Sequence, residues 1–301
     1  MSKGLTATIV FEANSLNYGE GIGNISVLKK LNRDNGRTYT FASRQCLGYD
    51  IRRLGHELFD WKYDVVVNNE TIQYRKDLSI KDSEEMDLFG YFRTTEKTNA
   101  DTRQAPVRIN PAISLEPYRS DMDFLTNKGF ADRLNEDPNL TNTEQHNSLY
   151  AYTITIDLDK IGVDKVGEDK EKKIEKEEIV TRLKQFLTII KLLNRNIRGR
   201  QENLNPLFII GGIYTIPNPF FKGRIKLENR KGEFAIKAGP IANALETTIL
   251  DTTVRDKTLM GIEDGFFANK EELKALLLED NATSVEGFFN KLTERVENYY
   301  L

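Results

Sequence analysis

Periodic apolar positions predict a strand and a helix near the start of the chain. Residues 5–12 (LTATIVFE) alternate between apolar and polar side chains, as a β-strand does. Residues 42–55 (ASRQCLGYDIRRLG) carry an apolar stripe at helical spacing, with Ser43 as the expected N-cap and Gly55 as the expected stop. The residues of that stripe are Leu47, Ile51 and Leu54.

Similar patterns return in the second half of the chain. Residues 150–158 alternate, residues 171–195 carry a helical stripe, and residues 207–216 (LFIIGGIYTI) indicate a buried strand interrupted by two glycines. Residues 270–299 are expected to be mostly helical. Because strand, helix and strand at this spacing form a βαβ-type unit, their combination with residues 5–55 predicts an α+β fold with a ferredoxin-like βαββαβ sheet. This is the architecture of RNA-recognition (RRM) domains, and it implies no function by itself.

The middle of the chain lacks sustained periodicity. Residues 63–75 (YDVVVNNETIQYR) predict a hairpin that turns at its two adjacent asparagines. The residues after them are polar and interrupted by prolines, so we interpret 60–148 as a large irregular insertion. Short helices are expected around 84–92 and 124–134. Long insertions of this kind are usually functional or mobile.

Composition is typical of one soluble domain. The 301 residues can bury a large core, and we expect them to form a single RRM-like domain. No run approaches the roughly 18–20 apolar residues that a membrane span needs, and no signal peptide is recognisable. Cys46 is the lone cysteine, which fits a reducing compartment and a cytoplasmic location. His56 and His146 are far apart and have no cysteine partners, so no metal site is expected.

The net charge of −3 conceals two basic blocks. Seven basic residues accompany two acidic ones from Lys29 to Arg53, and nine accompany two from Lys191 to Lys231. Residues 263–297 instead contain nine acidic and four basic residues. Since local patches set the field that a phosphate backbone meets, the basic blocks permit nucleic-acid binding. Solvated surface is the alternative for either block.

The start of the predicted helix 42–55 is the first candidate binding site. Helix N-termini present free N–H groups and partial positive charge, and they bind phosphate readily. A cation such as Arg44 is mildly disfavoured beside this partial positive charge, and a bound phosphate would offset the repulsion between them. A solvated arginine is the alternative. The polar residues that this helix offers to a ligand are Ser43, Arg44, Gln45, Arg52 and Arg53.

The glycine- and asparagine-rich loop from Asn14 to Asn24 is the second candidate. Its glycines let the backbone approach a ligand closely, while Asn14, Asn17 and Tyr18 supply hydrogen-bond donors and a stacking face. The glycine spacing is not a Rossmann fingerprint, and no P-loop sequence follows it. No nucleotide cofactor is therefore expected.

Two later segments also carry candidate contacts. In residues 211–236, two adjacent phenylalanines and several cations precede a predicted turn at 230–232, an arrangement that suits single-stranded nucleic acid. The alternative is that one or both phenylalanines belong to the core. In residues 103–119, Arg103 and Arg108 lie among prolines that keep the chain extended. These candidates are Phe220, Phe221, Lys222 and Arg224 in the first segment, and Arg103 and Arg108 in the second.

Groups suited to catalysis are scarce. No Ser/His/Asp arrangement and no HExxH motif is apparent, and the single cysteine lies in a predicted helix. An acidic residue such as Asp34, in the loop after the first strand, is placed to assist RNA cleavage. A turn is the favoured role for Asp34, because Arg33, Asn35 and Gly36 are its neighbours. The protein is therefore expected not to be an enzyme.

Five stretches of the chain, in this order, resemble the DevR-type CRISPR-associated family, the backbone (Cas-seven) subunit of type I-B Cascade. They lie within residues 5–225, and the first, second and fourth are the more specific. The stretches are NSLNYGEGIGNISVLKKL, FASRQCLGYDIRR, DLFGYFRT, APVRINPAISLEPY and GGIYTIPNPFFKG.

The resemblance implies a subunit that coats RNA in CRISPR antiviral defence without doing chemistry. Family members have an RRM-like palm, inserted finger or web regions and a β-hairpin thumb, and several copies polymerise as a filament along one CRISPR RNA (crRNA). Each copy grips the RNA backbone, and its thumb displaces a base at regular intervals. The exposed bases pair with target DNA in DNA interference. The implied partners are crRNA, target DNA through the guide, further copies of the chain, and the handle-capping, large and crRNA-processing subunits of Cascade.

Carried onto this chain, the resemblance assigns a role to each candidate segment. The thumb falls within 217–236, with Phe220 or Phe221 as the wedge, and Arg103 and Arg108 belong to the insertion. The palm contacts are Asn14, Asn17, Ser43, Arg44, Gln45 and Arg52. Family members often have a basic residue where this chain has Tyr18, so the resemblance implies stacking there instead of a phosphate pair.

Two other functions remain open from the sequence. One is a metal-dependent ribonuclease that uses Asp34, because related type III backbone subunits cleave RNA with an acidic loop residue. The other is a free-standing RRM-like regulator that binds RNA as a monomer. For the leading hypothesis, we expect Arg44→Ala with Arg52→Ala to weaken RNA binding irrespective of sequence and to make its salt dependence shallower.

Overall fold

One large β-sheet with helices against it organises the chain, and a mixed α+β structure is confirmed. The computed structural model describes residues 3–21, 23–33, 36–69, 71–94, 100–166 and 170–301; Asp34 lies outside these ranges. The helices are α1 Arg44–Phe59, α2 Glu84–Phe89, α3 Lys128–Leu134, α4 Lys176–Lys191, α5 Ala238–Leu245, α6 Val254–Lys257, α7 Lys270–Lys274 and α8 Val285–Tyr300. The strands are β1 Gly4–Asn14, β2 Ile25–Ser26, β3 Lys30–Asn32, β4 Thr38–Ala42, β5 Val66–Asn69, β6 Thr71–Tyr74, β7 Tyr91–Thr94, β8 Ala100–Arg103, β9 Val107–Ile109, β10 Ala112–Ser114, β11 Met122–Thr126, β12 Leu140–Glu144, β13 Asn147–Asp157, β14 Val163–Val166, β15 Lys170–Lys173, β16 Asn194–Ile197, β17 Arg200–Asn203, β18 Phe208–Tyr214, β19 Leu227–Arg230, β20 Glu233–Ile236, β21 Thr248–Ile249, β22 Thr252–Thr253, β23 Thr258–Ile262 and β24 Ala282–Thr283.

The large sheet has the strand order β24-β23-β18-β1-β13-β10-β4-β3, and β9 also pairs with β13. Strand β1 lies antiparallel to both β13 and β18 and is central to the sheet. The three strands predicted from residues 5–12, 150–158 and 207–216 are confirmed as β1, β13 and β18. Strands β9 and β10 also join this sheet, although their residues lie in the segment that was predicted to be irregular.

Two glycines in β18 allow the neighbouring strands to approach. A Cβ atom on Gly211 would lie 2.0 Å from the carbonyl oxygen of Thr6, and one on Gly212 would lie 2.1 Å from that of Lys257. Neither position has room for a larger side chain unless the backbone of the sheet moves. The Gly-Gly interruption visible in the sequence is therefore a requirement of strand packing.

The apolar side chains of β1 alternate between the two faces of the sheet. Leu5, Ile9 and Phe11 belong to a core shared with helices α1, α4 and α8. Val10 belongs to a second core on the opposite face, which includes residues of the 217–245 region. Each large apolar side chain buried in this way contributes about 1.5–3 kcal/mol. In the described part of the chain, no helix is long and apolar enough to cross a membrane.

Helix α1 begins where the sequence predicted but does not end there. Ser43 is the N-cap, and its hydroxyl accepts a hydrogen bond from the Cys46 N–H at 3.2 Å. The helix continues past Gly55 to Phe59 and is closed by Asp60 in the left-handed conformation, with φ of 54°. Gly55 as a stop is wrong: a Cβ there would lie 2.2 Å from Trp61 Cε3, so this glycine makes room for the indole.

Several other elements differ from their predicted bounds. Helices α2, α3 and α4 are each shorter than the predicted segments. The hairpin expected in residues 63–75 is formed by β5 and β6, but Asn68 and Asn69 pair as residues of β5, so the prediction that they form the turn is wrong. The turn predicted at residues 230–232 is confirmed between β19 and β20, where Lys231 and Gly232 have positive φ angles.

Candidate nucleic-acid interface

Three segments meet where α1 begins, and we call their combination the helix-start site: residues 14–18, residues 43–45 and the β16–β17 hairpin, 194–203. The Asn17 side-chain amide lies 3.2 Å from the Ser43 hydroxyl. With its oxygen turned towards the helix, that amide accepts the backbone N–H of Ser43 at 3.0 Å. Both predicted residues therefore lie at the site, where they fasten the loop to the helix.

The first turn of α1 is suited to an anion. It contains no acidic residue, and Arg44 and Gln45 are exposed on it. Among the residues that the structure describes, the Arg44 guanidinium has no hydrogen-bond or ion-pair partner. Since the first N–H groups of a helix have no intrahelical acceptor, a phosphate oxygen placed here would meet both N–H groups and the arginine.

The β16–β17 hairpin is a part of the site that the sequence reasoning did not single out. Arg195 donates from Nε to the Leu16 carbonyl at 2.8 Å and from Nη1 to Asp50 Oδ2 at 2.6 Å. Burial raises the pKa of the Asp50 carboxyl, and Arg195 opposes that rise. On the other strand, Arg200 donates to the Asn14 carbonyl at 2.9 Å. These contacts hold the hairpin firmly against the loop.

The tip of this hairpin places a cation over Tyr18. Arg198 and Gly199 both have positive φ angles, 50° and 76°, as a two-residue hairpin turn requires. Such a conformation costs an arginine on the order of 1 kcal/mol. The Arg198 guanidinium lies 4.0 Å from the Tyr18 ring centroid, and the Tyr18 hydroxyl donates to the Glu144 carbonyl at 3.1 Å. The cation that stacks on Tyr18 therefore comes from a segment distant in the chain.

Arg52 and Arg53, further along α1, are held by protein groups. Arg52 Nε lies 2.5 Å from Glu85 Oε1, and its guanidinium covers the Phe89 ring at 4.3 Å. Arg53 donates to the side-chain and backbone oxygens of Asn194 at 2.8 and 2.9 Å. Both arginines are half-buried. Their first role is to tie α1 to its neighbours, which leaves them less available to phosphate than Arg44.

Arg103 is a structural residue, so the prediction that it binds RNA is wrong. Its side chain is 5% exposed and forms an ion pair with Asp87 at 2.9 Å. Arg182 of α4 reaches the other oxygen of the same carboxylate at 3.2 Å. A guanidinium enclosed in this way cannot reach a phosphate. Arg108, by contrast, is exposed on β9, and its predicted contact stays a prediction.

The predicted thumb segment contains both buried core residues and exposed cations. Phe221 is 1% exposed and packs in the second core, so it is excluded as a base-displacing wedge. Phe220 is half-buried, with its ring centroid 4.9 Å from that of Tyr214. Lys222 and Arg224 are exposed. Lys222 faces a cavity of about 890 Å³ between the sheet and the β19–β20 hairpin, which we call the hairpin cleft.

Groups with catalytic potential are few in the described ranges. No three His, Cys, Asp or Glu side chains there are grouped so as to hold a metal ion. Cys46 is buried in α1, and burial raises the pKa of its thiol to about 11. Asp34, the candidate residue for RNA cleavage, lies outside the described residues.

The overall fold is that of chains from RNA-guided CRISPR complexes. A chain described as "CRISPR RNA-guided surveillance complex" matches with a TM-score of 0.58 and 12% identity, over 97% of this chain and 99% of that one. A second, described as "CRISPR RNA-guided surveillance complex, pre-nicking", matches with a TM-score of 0.62 and 10% identity, over 97% and 100%. At such identities the similarity concerns the fold alone.

The family assignment comes from the sequence. The model of the family "CRISPR-associated negative auto-regulator DevR/Csa2" matches residues 5–231. The chain therefore belongs to the DevR/Csa2 family, which confirms the resemblance noted in its motifs. No curated protein sequence matches the chain.

Proposed function

We propose that this protein is a crRNA-binding backbone subunit of a type I-B Cascade complex, and that copies of it polymerise along one guide RNA in the cytoplasm. The observation that carries the proposal is the helix-start site, where exposed Arg44 and the Tyr18-stacked Arg198 flank the start of α1. The match to the DevR/Csa2 family supports it. The partners are crRNA, further copies of the chain, target DNA through the guide, and the other Cascade subunits.

The palm of this subunit is RRM-like in our proposal. The strands β18, β1, β13 and β9 lie in that order, as the fourth, first, third and second strands of a βαββαβ unit do. Helices α1 and α4 pack against each other and share one core with β1. The helix-start site lies at the end of β1, where the first crossover begins.

The grip on RNA follows from the chemistry of the site. The N–H groups at the start of α1 and the Arg44 guanidinium bind one phosphate, and Arg198 binds another while Tyr18 holds its guanidinium flat. None of these groups reads a base edge, so binding is independent of sequence. Asn17 and Ser43 act by fixing the loop and the helix start. This leaves the bases free to pair with target DNA.

The thumb in this proposal is the segment 217–236, which includes the β19–β20 hairpin. Arg224 is its RNA-facing cation, and Phe220 is the remaining candidate for the wedge that displaces a base and kinks the guide. No chemistry is involved: the protein is not an enzyme, and interference with DNA is completed by other proteins.

Native mass spectrometry on single-stranded RNAs of increasing length tests this proposal. We expect the number of bound copies to rise in equal steps with RNA length and to be the same for unrelated sequences. The RNA should stay intact when Mg²⁺ or Mn²⁺ is added. One copy on every long RNA would support the free-standing regulator instead, and metal-dependent cutting that Asp34→Asn abolishes would support the ribonuclease.

A further inference from the structure

Residues 121–143 form a lobe on which large apolar side chains are exposed. It consists of β11, α3 and β12 as far as Thr143, and β2 pairs with β12 at its edge. Of the α3 residues only Ala131 is buried. Six large apolar side chains of the lobe are 41% to 75% exposed: Met122, Phe124, Leu125, Phe130, Leu134 and Leu140. Since clustered exposed apolar groups mark interaction sites, this lobe is suited to a protein contact.

The lobe is also acidic. Its five acidic residues outnumber its two basic residues, which gives a charge of −3. All five acidic residues are exposed: Asp121, Asp123, Asp132, Glu136 and Asp137. A partner for this lobe must therefore combine apolar surface with positive charge.

The hairpin cleft has both properties. Five exposed cations line it, Arg33, Arg37, Lys222, Lys226 and Lys237, together with two carboxylates, which gives a charge of +3. The carboxylates are already bonded, because Glu116 accepts the Leu149 N–H at 3.2 Å and Glu228 pairs with Arg230 at 2.6 Å. Apolar lining is supplied by Ile113, Leu115, Ile225, Leu227 and Phe234.

We propose that the lobe of one copy docks in the hairpin cleft of a second copy. The charges of the lobe and of the cleft are equal and opposite, and both surfaces carry apolar side chains. Docking therefore pairs opposite charges and buries apolar surface of both copies. The described residues that line the cleft include none from the lobe of the same chain, which leaves the cleft open to another copy. The contact rests on the proposed function only for the expectation that copies meet along RNA.

A protein segment fits the cleft better than a nucleic-acid strand does. Bases held in a basic groove usually stack on exposed aromatic rings. Here Phe234 already stacks on Phe266, with an interplanar angle of 9°, and Tyr39 is buried beneath the Arg33 guanidinium. The cleft thus offers cations and aliphatic surface, which suit an acidic, apolar lobe.

The contact joins two different surfaces, so it is heterologous. A heterologous contact that does not close into a ring generates an open chain of copies. Such a chain matches the linear arrangement that a strand-coating subunit requires.

Exchanging the charges tests the contact. In the cleft variant, Lys222→Glu, Lys226→Glu and Lys237→Glu are combined; in the lobe variant, Asp123→Lys, Asp132→Lys and Glu136→Lys are combined. By sedimentation velocity on RNA-free protein at low salt, we expect each variant alone to associate at least about tenfold more weakly than the unaltered protein, because like charges then meet. Mixing the two variants should restore association, since each supplies the surface complementary to the other.

Cross-linking provides the second measurement. Two copies, one with Asp132→Cys and one with Lys226→Cys, are placed on an RNA long enough for both. A disulfide between them is expected, while Cys46 stays unreactive because it is buried. Absence of this cross-link, or unchanged association in both charge variants, overturns the proposal.

A control separates this proposal from the RNA grip. Arg44→Ala should weaken RNA binding and leave RNA-free association unchanged, because Arg44 lies outside both the lobe and the hairpin cleft. If the cleft variant instead loses RNA affinity as that control does, while its self-association is unchanged, the cleft binds nucleic acid and the docking proposal is wrong.

Discussion

Removing the two guanidinium groups of the helix-start site should weaken RNA binding in a salt-dependent way. Arg44 is exposed at the start of α1, and Arg198 is held over Tyr18 at 4.0 Å. A hydrogen bond to a charged group contributes about 1.5 kcal/mol at the low end, which is about tenfold in affinity. The double change Arg44→Ala with Arg198→Ala is therefore expected to lower RNA affinity about 100-fold at low salt.

The salt dependence gives a sharper expectation than the affinity alone. Each lost phosphate contact removes about 0.7 from the slope of log K against log salt for a single strand, so two contacts remove about 1.4. Between about 50 and about 200 mM salt, this difference amounts to a factor of about 7. The 100-fold deficit of the double variant should thus shrink to about 15-fold at the higher salt.

Fluorescence anisotropy with two unrelated single-stranded RNAs measures both quantities. Arg75→Ala is the control, because Arg75 lies outside the helix-start site, the lobe and the hairpin cleft and is paired with Asp77 at 2.7 Å, so its removal should leave the slope unchanged. Arg52→Ala is informative as well: its guanidinium is committed to Glu85 and Phe89, so we expect it to change the slope less than Arg44→Ala does. An unaltered slope in the double variant, or a loss confined to one RNA sequence, would refute the assignment.

Three further expectations concern buried groups. Arg103→Ala should lower the free energy of unfolding by about 3–5 kcal/mol, since it leaves the buried Asp87 carboxylate with one partner fewer; chemical denaturation showing less than about 1 kcal/mol would contradict this. Phe221→Ala should also destabilise by about 3–5 kcal/mol through the cavity it creates, and a neutral effect would place this ring on the surface. Because burial raises the pKa of Cys46 from 9.0 to about 11, its thiolate fraction at pH 8 should be about 100-fold below that of an ordinary thiol and should rise about tenfold per pH unit up to that pKa. Maleimide labelling followed by mass spectrometry tests this, and labelling as fast as that of a free thiol would contradict it.

The start of α1 could be predicted because capping is local chemistry. A serine followed by a helical apolar stripe is sufficient to place Ser43 at the N-cap. The end of the helix could not be predicted in the same way. Gly55 is needed by the Trp61 side chain that folds back on it, and Asp60 takes the left-handed conformation instead.

The burial of Arg103 could not be predicted from the sequence pattern alone. In the proline-containing segment 103–119, this arginine has the same appearance as the exposed Arg108 five residues later. Its burial depends on Asp87 of α2 and on Arg182 of α4, which is distant in the chain. Only the packing of these elements distinguishes an internal ion pair from a surface cation.

The β16–β17 hairpin was harder to predict from the sequence than the start of α1. It lies inside the second basic block, and its Arg198-Gly199 pair is compatible with a tight turn. Seven of its eight strand residues are polar, so the strands show no apolar alternation. Its position beside residues 14–18 is fixed by hydrogen bonds between segments that are distant in the chain. The stacking of Arg198 on Tyr18 therefore could not be predicted without the fold.

Analysis of the RNA that co-purifies with the protein from its own host tests the central claim most directly. The bound RNA would be extracted and sequenced, and the copies of protein per RNA counted by native mass spectrometry. We expect small RNAs that share a common repeat-derived end, each carrying several copies of the chain. Purified protein free of RNA, or bound one copy at a time to unrelated transcripts, would contradict a guide-coating role.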